Sequence, residues 1–240
     1  MLSSLIFIIS FSFIPAVLVF AADFSYSGIT GPAFWGKFNE TCLQGENQSP
    51  IDIPYDEFLK FTKPDYISFD DSHNVEIENK GHSIEISKNL SGKLKIKDDD
   101  YELLQFHFHT PSEHRVDGKY HDVEAHFVFT DKEGKYSVVG VFYDISDQPS
   151  EFFNPIIANI PHGEDKKTIE FIGLSSVLKD IDWLNKAYNY FGSLTTPPCT
   201  EGVIWWVAHS VQPIGKDQFF KLRDTTGFNS RYTQVRKGEK

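Results

Sequence analysis

Basic residues are scarce in this 240-residue chain: 23 Lys and Arg stand against 34 Asp and Glu, giving a net charge of −11. With no basic face to neutralise phosphates, a nucleic-acid partner is excluded, as is adsorption to anionic membranes. Cysteine is almost missing, with two residues, which excludes a cysteine-stapled scaffold. Beyond the N-terminus there is no linker, internal repeat or low-complexity stretch, so one domain is expected. The chain has neither a P-loop nor a GxGxxG, and no βα alternation, which argues against a nucleotide-binding fold. What remains is ordinary globular material, 40% hydrophobic and 24% charged, with 22 Phe available for a large core. This length suits a large β domain folding as one unit.

Residues Met1 to Ala22 carry no charge, and Leu5–Phe20 is apolar apart from Ser10 and Ser12. Val19-Phe20-Ala21 fits the small-x-small cleavage rule, so residues 1–21 are expected to be a signal peptide and 22–240 the mature domain. No Lys or Arg precedes the apolar run, which leaves an uncleaved anchor as the alternative. Export, to periplasm or extracellular space, is the expectation. Two cysteines in an exported chain suggest one disulfide closing a very long loop, worth roughly 4–5 kcal/mol, with two buried thiols as the bland reading.

Period-two alternation dominates the rest. Val75–Glu78, Ile84–Ile86, Lys93–Lys97, Tyr101–His109, Val123–Thr130, Tyr136–Tyr143 and Val203–Val207 read as strands. Helical patterns are short, at Ser150–Asn159 and Gly215–Leu222, and Asn89–Gly92 and Asp117-Gly118 read as turns. The fold class is mainly β (α+β), a large, mostly antiparallel twisted sheet with a few short helices.

Chemistry concentrates in the histidines. In Gln105-Phe-His107-Phe-His109 the polar residues are two apart and share a strand face, while Phe106 and Phe108 point into the core. Glu124-Ala-His126 lies on what reads as the neighbouring strand, bringing a third imidazole beside the pair. Three imidazoles from two strands suit a tetrahedral Zn2+ with one open position, and no carboxylate cluster favours magnesium or calcium. Gln105 and Glu124 each precede a histidine by two residues and can accept from its second ring nitrogen, fixing its tautomer. An H-x-H arises by chance roughly once in three chains with nine His, so the pair alone is weak; the third His and the matched acceptors make the signal specific.

The chain resembles an α-class carbonic anhydrase from about Phe24 to Gln234. The resemblance is carried by Glu46-Asn-Gln-Ser-Pro-Ile-Asp52, Asn79-Lys-Gly-His82, Gln105–His109, Ser112-Glu-His114, Glu124–His126 and Gly192-Ser-Leu-Thr-Thr-Pro-Pro-Cys199-Thr-Glu-Gly202. It implies that His107, His109 and His126 bind zinc, with Gln105, Glu124 and Asn229 behind them. It implies a Cys42–Cys199 pair and cis peptides at Ser49-Pro50 and Pro197-Pro198. The activity implied is reversible hydration of carbon dioxide to bicarbonate and a proton by zinc-bound hydroxide. Thr195 and Glu113 would aim the nucleophile, and Thr196 would hold bicarbonate. Val128, Val138, Leu194, Val203 and Trp205 would form the apolar slot. His82 would be the proton shuttle, with Tyr26 ordering the waters beside it, and His114 and Tyr190 would be bonded together behind Glu113.

The chain departs from the family pattern in several places. Lys80 and Glu85 replace more neutral residues around the shuttle, Phe24 stands where Trp is usual, and Tyr232 stands where Pro is typical. A catalytically silent binding module is the alternative of another class. Such relatives typically lose a zinc ligand, and none is lost here. Membrane contact is not expected of the mature form.

Overall fold

The computed structural model describes residues 24–60, 63–179 and 187–235, so the expected signal segment lies outside the described residues. Strands β1 (Asp52–Ile53), β2 (Tyr66–Asp70), β3 (Ser72–Asn79), β4 (Ile84–Ser87), β5 (Ser91–Ile96), β6 (Asp99–His109) and β7 (Arg115–Val116) come from the first half of the chain. They are followed by β8 (Val123–Thr130), β9 (Tyr136–Ser146), β10 (Lys166–Ile172), β11 (Ala187–Ser193), β12 (Glu201–Ala208) and β13 (Gln212–Gly215). The helices are short: α1 (Thr41–Gln44), α2 (Phe153–Asn159) and α3 (Lys216–Thr226), with a few 3-10 turns. Among the described residues no helix is long and apolar enough to cross a membrane.

One sheet runs β10-β3-β4-β6-β8-β9-β12-β11, with β13 also on β9, and β5 joining β6 to β2. Its pairs are antiparallel except β12 and β13 on β9; β1 and β7 form a small parallel pair apart. The strands read from alternation are all present. β2, β10, β11 and β13 escaped that reading because their burial does not alternate; β10, at the edge, buries only Ile169 and Ile172. The Asp117-Gly118 turn has positive φ at both residues, as a two-residue turn in a right-twisted hairpin requires. It caps Val116 and Lys119 within the β6–β8 connection.

The central strands explain where the site forms. β8 is buried along nearly its whole length, so both its faces are packed. Phe106, Phe108 and Phe127 point to one side and join Phe152, Phe153 and Ile156 in the main core, with Phe106 stacked on Phe127 at 5.2 Å. The opposite face carries a smaller cluster around Ile51, Val128, Val138, Tyr190, Val203 and Trp205. Burial of the aromatic face therefore holds the polar face of β6 in one orientation, since a one-residue slip would turn every histidine into the core.

Candidate metal centre

The β6–β8 register sets His107 directly opposite His126, and His109 opposite Glu124. One ligand atom from each of His107, His109 and His126 lies within 4.8 Å of the others. Two of the rings have one nitrogen hydrogen-bonded. His107 Nδ1 is 2.8 Å from Gln105 Oε1, and His109 Nδ1 is 2.7 Å from the backbone carbonyl of Asn229. His126 Nε2 lies 2.9 Å from Glu124 Oε1, a close contact that lacks hydrogen-bond geometry. His107 Nε2 and His109 Nε2 are left over, and among the described residues His109 Nε2 and His126 Nε2 are buried atoms with no hydrogen-bond partner. A buried nitrogen without a partner is costly unless a ligand takes its lone pair. Three imidazoles converging, with the His107 and His109 tautomers fixed, suit a divalent, nitrogen-preferring ion with a fourth position open.

Electrostatics keep His107 and His109 in their ligating form. Burial holds His107 well below the usual imidazole value, with His109 and His126 adding to the fall. Burial likewise takes His109 down to about 3. Both rings are thus neutral at pH 7, as metal binding needs.

A second group, His114, Glu124 and His126, also has metal-like spacing, but hydrogen bonds account for it. Glu124 Oε1 faces His126 and also holds His114 Nδ1 at 2.7 Å, while Oε2 accepts the N–H groups of Glu113 and His114 at 2.9 and 2.8 Å. Desolvation would raise its pKa, but the neighbouring His114 and His126 side chains win, and the carboxyl stays well below its ordinary value. His114 Nε2 continues at 2.7 Å to the Tyr190 hydroxyl, which lies 2.8 Å from Ser49 Oγ. His114 and Tyr190 are thus bonded together, but behind Glu124 and not, as expected, behind Glu113.

Glu113 has its own setting. Its Oε1 accepts the Arg231 N–H at 2.8 Å, and its Oε2 lies 3.5 Å from His109 Nε2. Burial pushes the carboxyl up to about 7, against the pull of His126, the Thr195 hydroxyl and the Arg231 N–H. Burial, then the nearby Glu113 charge, raises the Tyr26 phenol well above its usual value, so it stays protonated.

A cavity of about 180 Å3 opens onto His107 and His126. Val128, Val138, Leu194, Thr195, Thr196 and Trp205 line it as expected, together with Leu104 and Tyr136, which alternation gave no reason to single out. Val203 does not line it; at 1% exposure its side chain packs in the cluster behind. His82 is also off this lining, on the β3–β4 hairpin, its ring 4.7 Å from Phe24 and 5.9 Å from Tyr26. The loop bearing Thr195 is tied by Leu194 N to Thr200 O and Cys199 N to Thr196 O, at 2.9 and 2.8 Å. Cys199 is joined to Cys42, and the peptides at Ser49-Pro50, Thr110-Pro111 and Pro197-Pro198 are cis.

The family model for eukaryotic-type carbonic anhydrase matches residues 30–237. The chain belongs to that family. Carbonic anhydrases are lyases, and the named relatives agree. Alpha carbonic anhydrase 4 of Arabidopsis thaliana is 37% identical over 87% of this chain and 80% of its own length. A carbonic anhydrase of Pectobacterium carotovorum is 33% identical over 78% of this chain and 76% of its own. The solved fungal alpha carbonic anhydrase of Aspergillus oryzae superposes with a TM-score of 0.82 at 32% identity, covering 90% of this chain and 94% of that one. Carbonic anhydrases act on carbon dioxide and bicarbonate, which the small, largely apolar cavity is of a size to admit.

Ser49, Ser193, Gly140 and Arg231 are the supporting residues that sequence reasoning missed. Ser49 and Ser193 exchange hydrogen bonds, Ser49 N to Ser193 Oγ at 2.9 Å and Ser193 N to Ser49 Oγ at 3.0 Å. Both sit inside blocks that carry the family resemblance, so the signal was present without its role.

Proposed function

We propose that this chain catalyses the zinc-dependent, reversible hydration of carbon dioxide, with His107, His109 and His126 holding the ion. The observation that carries the reading is a pair of buried imidazole nitrogens without hydrogen-bond partners, His109 Nε2 and His126 Nε2, grouped with His107 at metal-ligand spacing. Zinc held there would lower the pKa of a water to about 7, a value for which carbonic anhydrase is itself the reference case, and so supply a nucleophile at neutral pH.

The protein's own groups do the rest. Gln105, the Asn229 carbonyl and Glu124 fix the three rings. In its ionised form Glu113 can only accept, so Thr195 donates a hydrogen bond to it and keeps its own lone pairs free to orient the attacking oxygen. Val128, Val138, Leu194 and Trp205 shield uncharged carbon dioxide from water, with Val203 packed behind them. Thr196 holds the bicarbonate formed. His82 takes the released proton on its imidazole and passes it to solvent, and the neutral Tyr26 hydroxyl orders water between.

Residues 1–21 act as a signal peptide and 22–240 form the exported domain, periplasmic or extracellular; the Cys42–Cys199 bridge supports an oxidising compartment. Stopped-flow carbon dioxide hydration by the zinc-loaded chain, read across pH in strong buffer, tests the activity. The rate is expected far above background, rising through an apparent pKa near 7. A folded, zinc-loaded protein with no rate would make it a silent binding module instead.

A further inference from the structure

The hairpin that carries His82 also carries a pair of opposite charges. Lys80 Nζ lies 2.7 Å from Glu85 Oε2, with side chains 36% and 19% exposed. Glu85 stands opposite His107 in the β4–β6 register, so its side chain leaves the sheet on the same face as the candidate ligand. The turn between them is tight: Lys80 N donates to Ser83 O at 2.9 Å, and Gly81 has φ +78. Asn229 Nδ2 donates to the His82 carbonyl at 3.0 Å and pins the backbone from the other side.

His82 is held by its main chain, with its ring against Phe24 and Tyr26, and its charge environment is short. The hairpin supplies Lys80 and Glu85, and the loop before β10 supplies Glu164. Among the described residues, the N-terminal segment brings the protonated Tyr26 and the C-terminal segment the uncharged Asn229. Burial and then Lys80 hold the ring below its usual value, while Glu164 and Glu85 oppose them.

We infer that the Lys80–Glu85 ion pair is a positioning element for the proton relay: by compensating each other, the two side chains fix the net field at His82 and hence its balance between taking and releasing a proton. The inference rests on the reading of His82 as the relay. An uncompensated ammonium would favour release, and an uncompensated carboxylate would favour uptake. The relative positions of Lys80 and Glu85 on one short hairpin keep either charge from acting alone.

The test is an NMR titration of the His82 imidazole in the full chain, its resonance assigned with His82→Ala. Lys80→Met is expected to raise the midpoint by about half a pH unit, and Glu85→Gln to lower it by a similar amount. The double variant K80M/E85Q should return close to the starting midpoint. In weak buffer the pH profile of kcat should follow the midpoint, whereas kcat/KM, governed at the metal end, should not. Midpoints that stay fixed, or that move in the same direction in both variants, overturn the inference. Midpoints that move oppositely while kcat ignores them also overturn the relay role. That outcome locates the failure in the assignment of His82 as the shuttle, not in the field of the pair.

Discussion

The backbone carbonyl of Asn229 accepts a hydrogen bond from His109 Nδ1 at 2.7 Å, across a sequence separation of 120. The Asn229 side chain locks that carbonyl in place. Its Oδ1 accepts the Thr110 N–H at 2.7 Å, and its Nδ2 donates to Phe108 O at 2.8 Å and to His82 O at 3.0 Å. One residue of the C-terminal segment thereby ties a candidate metal ligand, the end of β6 and the relay turn together.

Asn229→Ala is expected to weaken zinc binding about 10- to 100-fold, because the His109 ring loses its fixed partner geometry. It also strands the buried Thr110 N–H, at a cost of about 1–3 kcal/mol. Competition with a chelator reads the affinity, and urea unfolding reads the stability. Unchanged zinc affinity would remove Asn229 from the site.

Gly140 lies beneath Glu124: a Cβ there would stand 2.9 Å from Glu124 Oε1. Gly140→Ala should push the carboxylate off His126 and His114, destabilise the fold by about 1–3 kcal/mol and loosen zinc. Glu124→Gln should give the same loss of zinc with less loss of packing, since one amide oxygen cannot replace two carboxylate oxygens. Zinc content after dialysis distinguishes the two variants from the parent.

Stability of the metal-free protein should depend on pH with a definite sign. His109 folds with a pKa of about 3 instead of the usual 6.5, so between those values the unfolded chain binds more protons. Stability therefore rises with pH across that window and levels off above it. Glu113 acts oppositely, because its pKa is raised from 4.5 to about 7 and its contribution is lost as pH climbs through that range. Urea midpoints measured with chelator present should show the acid limb flattened in His109→Asn and the neutral decline removed in Glu113→Gln.

Thr195→Val keeps the shape of the side chain and removes its hydroxyl. Carbon dioxide hydration should fall about 100-fold in kcat/KM while zinc content is unchanged. Val138→Phe, which fills the 180 Å3 cavity, should abolish turnover through access alone and leave zinc in place. A Thr195→Val enzyme of full activity would sink the assigned role of the hydroxyl.

Cys42 and Cys199 close a loop with a sequence separation of 157, so replacing both by Ala should cost about 2–5 kcal/mol. Cys199 N also bonds Thr196 O at 2.8 Å, so activity should fall at temperatures where the variant remains folded. Thermal unfolding and hydration rates on one preparation test both effects.

Much of the site was legible because strand geometry is local. Spacing of two puts Gln105, His107 and His109 on one face and Phe106 and Phe108 on the other, whatever the rest of the chain does. Glu124 and His126 repeat the pattern, and the turn chemistry of Asp117-Gly118 is likewise written in those two residues. The expected Val203 lining failed for a related reason: alternation gives the face of a residue but not how far along the sheet a neighbour covers it. Leu104 was hidden by the register shift between Leu103 and Gln105, which breaks alternation where it would have been counted.

By itself, then, the sequence determined the strands, the three imidazoles, two of the groups that orient them, and the two cysteines available for a bridge. Tertiary structure alone decided which atoms meet across long separations. The Asn229 carbonyl reaches His109, the Arg231 N–H reaches Glu113, and Glu124 is shared between His126 and His114. Those contacts follow from burying the Phe-rich face of the sheet and closing the C-terminal segment over the other, a many-residue balance of packing that no local spacing encodes.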